Sequence, residues 1–284
     1  MNLTFQQGTK LIVVDGADKY VYLVGDATAS QTYIETSRSV KTLHNPIVVD
    51  DTFSTEKSNV SFSFSIHLGD SEVDAGILKW FGMLEVSNKF MLSTETALGQ
   101  MPKSVDIYID AGTTIYKISS CVGQNLSFSL ARNTLLSLNI TGIGVDLLED
   151  TPPVGGVWHL QDSSKFYNAP VVVNNLPNLV AVTCELTRDI KWIKGQTTHN
   201  IGNIYLSNTP ILDTMALAGS ITVNKTGGSR TYTPDTSINI KYGTSFEINL
   251  DSCNLTERWD LGNIHKLIMD YKLLPKAANS YITF

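Results

Sequence analysis

Residues 59–68 alternate strictly between apolar and polar side chains, and this pattern constrains the fold more than any other feature of the chain. The apolar members are Val60, Phe62, Phe64, Ile66 and Leu68, and the polar members that separate them are Ser61, Ser63, Ser65 and His67. A period of two predicts a β-strand with one buried face and one wet face. Similar alternation recurs at 105–109, 126–130 and 246–250. Many such strands leave sheet edges that must be closed, covered or paired, which favours assembly over catalysis.

The composition excludes several classes of protein. A chain of 284 residues with 42% hydrophobic residues can form two domains or one large β domain with a real core. The net charge of -6 argues against tight binding of DNA or RNA, which needs clustered cations. A weakly negative wall would instead let DNA slide past without sticking. No apolar run approaches the ~20 residues of a membrane helix, and the first residues do not resemble a signal peptide, so we expect no membrane association.

No pattern of residues indicates catalysis, a metal site or a cofactor. Three widely spaced cysteines, Cys121, Cys184 and Cys253, predict buried, reduced thiols rather than disulfides or a zinc site. The five histidines are scattered, and the acidic pairs at 50–51 and 149–150 are interpreted as solvated loop charge. We therefore predict no enzyme activity, no catalytic residue, no bound metal and no cofactor.

Residues 71–85 carry the one clear helical pattern in a chain that otherwise predicts strands. Ser71 can cap this helix, and Asp74 follows three residues later as in a weak capping box. Apolar residues at spacings of three and four predict a stripe that packs on a sheet. The stripe consists of Val73, Ile77, Trp80, Phe81 and Leu84.

Residues 151–156, Thr-Pro-Pro-Val-Gly-Gly, predict a boundary between two halves, 1–150 and 151–284. The halves echo one another, because 124–130 resembles 244–250. In each half a polar strand also precedes a long excursion, at 41–58 and at 195–217. The second half shows no helical pattern to match that of the first.

The hairpin at 105–121 with the strand at 124–131, and the ending that runs from 246–250 to 271–275, resemble the tail tube proteins of long-tailed bacteriophages. The resemblance is to the branch with two tube domains fused in one chain. It implies a mainly β fold of two tandem β-sandwich domains with a flanking helix. The inner sheets of neighbouring domains would join in a barrel around a channel, with three chains per ring and pseudo-sixfold symmetry. A long loop in each domain would contact the next ring.

The resemblance and the alternating strands together select candidate residues. Channel-facing candidates are Ser61, Ser63, Ser65, His67, Ser127, Ser129, Glu247, Asn249 and Asp251. Candidates for contact between rings, in the excursion at 41–58, are Lys41, His44, Pro46, Asp50, Asp51 and Glu56. Trp192 and Trp259, each among charged residues, are either core residues or parts of a subunit contact.

The function these observations favour is that of a structural virion protein, the major tail tube subunit of a long-tailed phage, through which DNA passes into the host. Its expected partners are copies of itself, the tape measure, terminator and baseplate proteins, and viral DNA that passes without tight binding. Assembly would take place in the bacterial cytoplasm. One alternative is a tube-capping or baseplate-proximal ring protein with the same domain. Another is a β-sandwich protein that binds carbohydrate or a receptor.

Overall fold

The computed structural model describes residues 2–5, 9–42, 45–69, 71–92, 102–131, 134–166, 169–174, 176, 178–193, 209–224, 236–244, 246–260, 265–274 and 279–284. Within these ranges the chain forms one α-helix and many strands, which confirms a mainly β fold with a single helix. The first elements are β1 (Asn2–Phe5), β2 (Lys10–Asp15), β3 (Asp18–Ser30), β4 (Tyr33–Thr42), β5 (Asn45–Lys57), β6 (Val60–His67), α1 (Ser71–Trp80), β7 (Leu84–Val86), β8 (Lys89–Met91), β9 (Val105–Asp110), β10 (Ile115–Ala131), β11 (Ser137–Gly144) and β12 (Asp146–Glu149). The remaining elements are β13 (Val157–Leu160), a 3₁₀ turn (Ser163–Lys165), β14 (Val171–Val173), β15 (Leu179–Ile193), β16 (Thr209–Asn224), β17 (Thr236–Tyr242), β18 (Phe246–Asp260), β19 (Lys266–Leu273) and β20 (Tyr281–Thr283).

Six strands of the first half close into a barrel in the order β2-β3-β6-β11-β10-β9, with β9 pairing back to β2. Two of these strands, β3 and β10, are long enough to pair in both of the sheets that form the barrel. The register shifts between Val24 and Ala27 in β3, and between Ile118 and Cys121 in β10. Such irregularities bend a strand and increase its twist, so one strand can leave one sheet and enter the other.

The second half repeats the strand order of the first. In the first half the order is β3-β6-β11-β10, and in the second half it is β15-β16-β19-β18. The two sets meet where β10 pairs antiparallel with β15, through seven residue pairs from Asn125↔Thr187 to Ala131↔Ala181. The result is one continuous eight-stranded sheet, β3-β6-β11-β10-β15-β16-β19-β18, which we call the long sheet.

A second layer covers the apolar face of the long sheet. In the second half this outer layer consists of β14, β17, the first part of β18, and β20, which continues into β8 and β7. Phe128 of the long sheet lies 5.6 Å from Phe246 of the outer layer, between ring centroids. Phe246 in turn contacts Phe284, which packs against Phe90 of the first half. The core is therefore continuous through both halves.

The helix packs on the first half as its apolar stripe predicts, with one exception. Val73, Ile77, Trp80 and Phe81 are all buried, but Leu84 is 69% exposed and lies in β7. The prediction for Leu84 was wrong because α1 ends at Trp80 and Gly82 then takes a left-handed φ of +75°. That conformation is typical of a helix C-terminus and turns the chain away from the helical period.

Close approach and a buried carboxylate position the helix. A Cβ on Gly76 would lie 2.7 Å from the Tyr20 ring, so glycine allows α1 to lie directly on β3. The Tyr22 hydroxyl donates to the Val73 carbonyl at 2.7 Å. Fully buried Asp74 accepts from the Gly69 N–H at 2.7 Å. Asp74 thus satisfies a backbone donor just before the helix. The predicted capping box differs from this arrangement, because it would pair Asp74 with the N–H of Ser71, which is the first residue of α1.

The segment around the predicted boundary at 151–156 is held against the first half. The buried Lys19 ammonium donates to the carbonyls of Pro153 and Gly155, and it lies 4.6 Å from the centroid of the Trp158 ring. Strand β13 then runs parallel to β3, with Trp158 opposite Lys19. Residues up to at least 160 therefore pack on the first half, although a boundary predicted at 150 assigns them to the second.

Candidate assembly surfaces

The outer face of the long sheet is a continuous surface of mostly small polar side chains. Ladder partners form rows that cross the whole sheet, because side chains of paired residues lie on the same face. One row runs Ser65, Asn139, Ser127, Glu185, Ala218, Lys272, Asn254. The next runs His67, Ser137, the backbone of Ser129, Thr183, Ser220, Asp270, Thr256. We call this surface the polar face.

Hydrogen bonds between neighbouring strands stabilise the polar face. The Ser30 and Ser61 hydroxyls lie 2.7 Å apart, and those of Thr183 and Ser220 lie 3.0 Å apart. Asn125 donates to Glu185 across the junction between β10 and β15. The side chains thus hydrogen-bond to one another along the sheet and leave no protruding apolar group in these rows.

Charges on the polar face are nearly balanced. Five acids, Glu185, Asp189, Asp213, Asp260 and Asp270, accompany four bases, Lys191, Arg258, Lys266 and Lys272, in strands of the second half. Arg258 Nε donates to Asp270 Oδ2 at 2.9 Å. The bases were missed because the wet face of β18 and β19 could not be assigned from sequence. An exposed pair of this kind contributes little to stability, but it prevents a concentrated positive charge.

The structure does not bring all nine predicted channel-facing residues together. Ser61, Ser63, Ser65, His67, Ser127 and Ser129 belong to strands of the long sheet. Glu247, Asn249 and Asp251 instead lie in the first part of β18, in the outer layer. Asn239 of β17 donates to the side chains of Glu247 and Asn249 there. The prediction that these three share a face with the serines was wrong.

The cause of that error is a misaligned internal repeat. The ladders place Ser129 opposite Ser137, the first residue of β11, and Asp260 opposite Lys266, the first residue of β19. Residues 124–130 are therefore equivalent to 255–261, and not to 244–250. Both parts of β18 have one polar side, and alternation alone does not tell which part enters the long sheet.

The long sheet ends on one side at an unpaired edge. In the part of the chain that the structure describes, residues 254–260 of β18 pair with β19 alone. Trp259 on this strand is 50% exposed, whereas its equivalent in the first half, Phe128, is 1% exposed. Phe128 is covered because the second half packs beside β10. The second part of β18 is the equivalent of β10, but no described strand lies beside its outer edge in the way that β15 lies beside β10.

The opposite side of the long sheet ends at β3. There β1 pairs antiparallel with the outer edge of β3 through four residue pairs, from Asn2↔Ser30 to Phe5↔Ala27. The two ends of the sheet are thus different, and among the described residues only the β3 end is covered by a further strand of the same chain.

The predicted ring-contact excursion is a ribbon rather than an irregular loop. Strands β4 and β5 pair antiparallel from Tyr33↔Lys57 to Thr42↔Asn45. Among the candidates, Lys41 lies in β4, while His44 falls outside the described residues. Pro46, Asp50, Asp51 and Glu56 lie in β5. The matching excursion of the second half is described only at 209–217, which belong to β16.

Arg188 is a buried cation on the core side of β15. It is 3% exposed, and its guanidinium carbon lies 5.4 Å from the centroid of the Phe81 ring. Within the described residues, Nε and Nη1 have no hydrogen-bond partner. Burial lowers the pKa of Arg188 to about 10, so the side chain stays charged at neutral pH. Nearby Trp192 is half-buried, and it packs against the small cluster of Val122, Ile190 and Leu212.

We expect Arg188→Met to raise the free energy of unfolding by about 1–3 kcal/mol, because methionine removes a desolvated charge and keeps much of the volume. The buried charge of Arg188 destabilises the folded state throughout neutral pH. The reason is that the pKa of Arg188 is higher in the unfolded state, which therefore binds the proton more tightly. Urea unfolding monitored by circular dichroism measures the change. Arg258→Met is the matched control, because Arg258 is exposed and paired with Asp270, and we expect a change below about 1 kcal/mol. A loss of stability in Arg188→Met would show that the charge is compensated.

The three cysteines are buried and free, as predicted. Burial raises the pKa of the Cys184 and Cys253 thiols to about 12, and raises that of Cys121 well above its usual value. Protonated, buried thiols are poor nucleophiles and poor metal ligands.

The described residues show neither a metal-binding cluster nor a helix that could span a membrane. No group of three or more histidine, cysteine, aspartate or glutamate residues in these ranges is placed to hold a metal ion. None of the described helical segments has the length and hydropathy needed to span a membrane.

Comparison with known proteins identifies the family of this chain. A search of curated proteins finds no match to the chain. The model of the bacteriophage baseplate tube protein family matches residues 1–284, the whole sequence. The chain therefore belongs to the bacteriophage baseplate tube protein family, and it is a structural component of a phage tail.

Proposed function

We propose that this chain forms a ring of the tail tube, in which the unpaired edge of β18 in each copy joins the β3 end of the next copy. The observation that carries the proposal is the junction between β10 and β15 inside the chain. It joins two four-stranded sets with the same strand order, edge to edge. A second copy would repeat this junction at β18, whose strand is the equivalent of β10. The two halves act in this assembly as tandem tube domains.

Three copies per ring, as the resemblance to fused tube proteins implies, would each contribute eight strands to a barrel of twenty-four. Heterologous contacts close into a ring when the rotation between copies divides a full turn. Closure would also remove the sheet edges, which otherwise promote uncontrolled aggregation.

The polar face would line the channel of this ring. Small hydroxyl and amide side chains keep the wall wet, and the near balance of charge gives phosphates neither a strong attraction nor a high barrier. Tight DNA binding requires several clustered cations, which the first half of the polar face lacks. The channel would therefore pass DNA without holding it. This role requires no side-chain chemistry, so we propose that the chain is not an enzyme.

The family supports one position in the tail over another. Its description as a baseplate tube protein favours the baseplate-proximal ring over the major subunit of a long tube. The ribbon of β4 and β5 is long enough to extend to a neighbouring ring. We propose that it contacts the next ring or another baseplate or tail protein. Assembly would take place in the host cytoplasm before the chain becomes part of the virion.

Disulfide trapping tests the ring. The internal junction pairs Ser127 with Glu185, and their equivalents are Arg258 and Ser30 of the next copy. Directly paired residues in antiparallel strands have Cα atoms about 4.5–5.5 Å apart, within reach of a disulfide. We expect Ser30→Cys/Arg258→Cys to give covalent trimers under mild oxidation, and negative-stain microscopy should show rings.

The control pair is Ser30→Cys/Ile268→Cys. Ile268 is the partner of Arg258 on β19, one strand further from the edge, so its Cα lies roughly 10 Å from the neighbouring β3 and out of disulfide reach. The buried native cysteines should add little background. Equal cross-linking by both pairs, or monomers in both, would contradict the proposed junction. Stacked filaments, in place of single rings, would favour a major tube subunit over a baseplate ring.

A further inference from the structure

Strand β1 lies where the neighbouring copy has to bind. The ladder between β6 and β11 ends at His67↔Ser137, and the ladder between β16 and β19 ends at Asn224↔Lys266. Counting back four residues from each end makes Ser63 equivalent to Ser220. Their partners Thr28 and Thr183 are then equivalent as well.

The outer edges of these two equivalent strands have different occupants. On β15, residues 181–187 pair with the second part of β10. On β3, residues 27–30 pair with β1. By the equivalence of Thr28 and Thr183, residues 27–30 correspond to 182–185. Four positions that accept β10 at the internal junction are therefore covered by β1 at the end of the sheet.

The two ladders also differ in length. Strand β1 makes four residue pairs with β3, whereas the internal junction has seven. A short edge strand is among the first elements of a fold to open, because few contacts hold it. A neighbouring β18, which presents residues 254–260, could form the longer ladder. Exchange of the short strand for the long one would therefore gain backbone hydrogen bonds.

We propose that β1 is a displaceable cover of the ring-closing edge, and that it must leave β3 before a second copy of this chain can pair there. This inference rests on the proposed ring. In the free chain β1 shields the edge, as natural proteins commonly shield edge strands. Ring closure then proceeds by strand exchange, with Asp260 of the incoming copy replacing Thr4 opposite Thr28, and Arg258 replacing Asn2 opposite Ser30.

The test locks β1 in place. Asn2 and Ser30 are direct ladder partners, so Asn2→Cys/Ser30→Cys can form a disulfide that fixes β1 to β3. We expect the oxidised variant to remain monomeric at concentrations where the unmodified chain forms rings, and reduction to restore assembly. Deletion of residues 2–5 should allow assembly at lower concentration. Analytical ultracentrifugation and negative-stain microscopy measure both effects.

A matched lock separates the effect on the edge from the effect of any added disulfide. Ser63→Cys/Thr141→Cys joins β6 to β11 inside the long sheet and leaves the β3 edge unchanged, so this variant should assemble normally. Normal rings from the oxidised Asn2→Cys/Ser30→Cys variant would overturn the role of β1 and leave the ring intact. Failure of the unmodified chain and of the deletion variant to form rings would overturn both proposals.

Discussion

We expect Trp259→Ser to abolish assembly of the proposed ring at concentrations where the unmodified chain assembles. Trp259 is 50% exposed on the unpaired strand edge, and its equivalent Phe128 is fully covered at the internal junction. In the proposed ring the neighbouring copy covers Trp259 in the same way. Exposed tryptophans that become buried at an interface commonly contribute about 2 kcal/mol or more to the binding free energy. Loss of that contribution would weaken the affinity of each contact between copies about 30-fold. Sedimentation velocity across a concentration series measures the loss.

Trp158→Ser is the control for this experiment. Trp158 is 45% exposed, which is close to the value for Trp259, but it lies on β13, which pairs with residues 18–21 of β3 and not with residues 27–30, where the neighbouring copy would bind. We expect this variant to assemble normally. Unfolding midpoints of both variants should stay near that of the unmodified chain. If Trp259→Ser forms rings as readily as Trp158→Ser, the β18 edge is not the assembly contact.

Trp80→Ala lowers the free energy of unfolding by about 3–5 kcal/mol, a large part of the stability of a typical domain. Trp80 is fully buried, with its ring 6.0 Å from Phe62 and 6.4 Å from Phe64 between centroids. Its indole N–H donates to the Cys121 carbonyl at 3.1 Å. The substitution therefore leaves a large cavity and removes a hydrogen bond to a buried carbonyl.

Urea unfolding of the monomer measures this change. Leu84→Ala is the matched control, because Leu84 belongs to the same predicted stripe but is 69% exposed, and we expect a loss below about 0.5 kcal/mol. Similar losses in the two variants would mean that α1 does not hold the core of the first half.

The helix shows how far a local pattern predicts structure. Four of the five stripe residues are buried, because spacing of three and four places them on one side of a helix. Leu84 keeps the spacing but lies beyond Gly82, whose left-handed conformation ends the periodicity. The apolar spacing in the sequence continues past Gly82, whereas the helical backbone ends before it.

The candidate channel residues show a different limit. Alternation correctly predicts that Ser61, Ser63 and Ser65 lie opposite buried partners on β6. It assigns Glu247 and Asn249 to a polar side of β18 equally well. Alternation does not show that β18 passes from the outer layer into the long sheet near Cys253, because both parts of the strand have the same period of two.

The sequence by itself determined which side chains of each strand are apolar, where the one helix lies, and that a chain of such strands has edges to cover. Only the tertiary structure decided which strands are neighbours and which polar sides form one continuous face. It also decided that, within the described residues, β1 covers one end of the long sheet while residues 254–260 of β18 pair with β19 alone at the other. The reason is physical. Strands pair through backbone N–H and C=O groups, which are the same at nearly every residue, and their partners lie far apart along the chain.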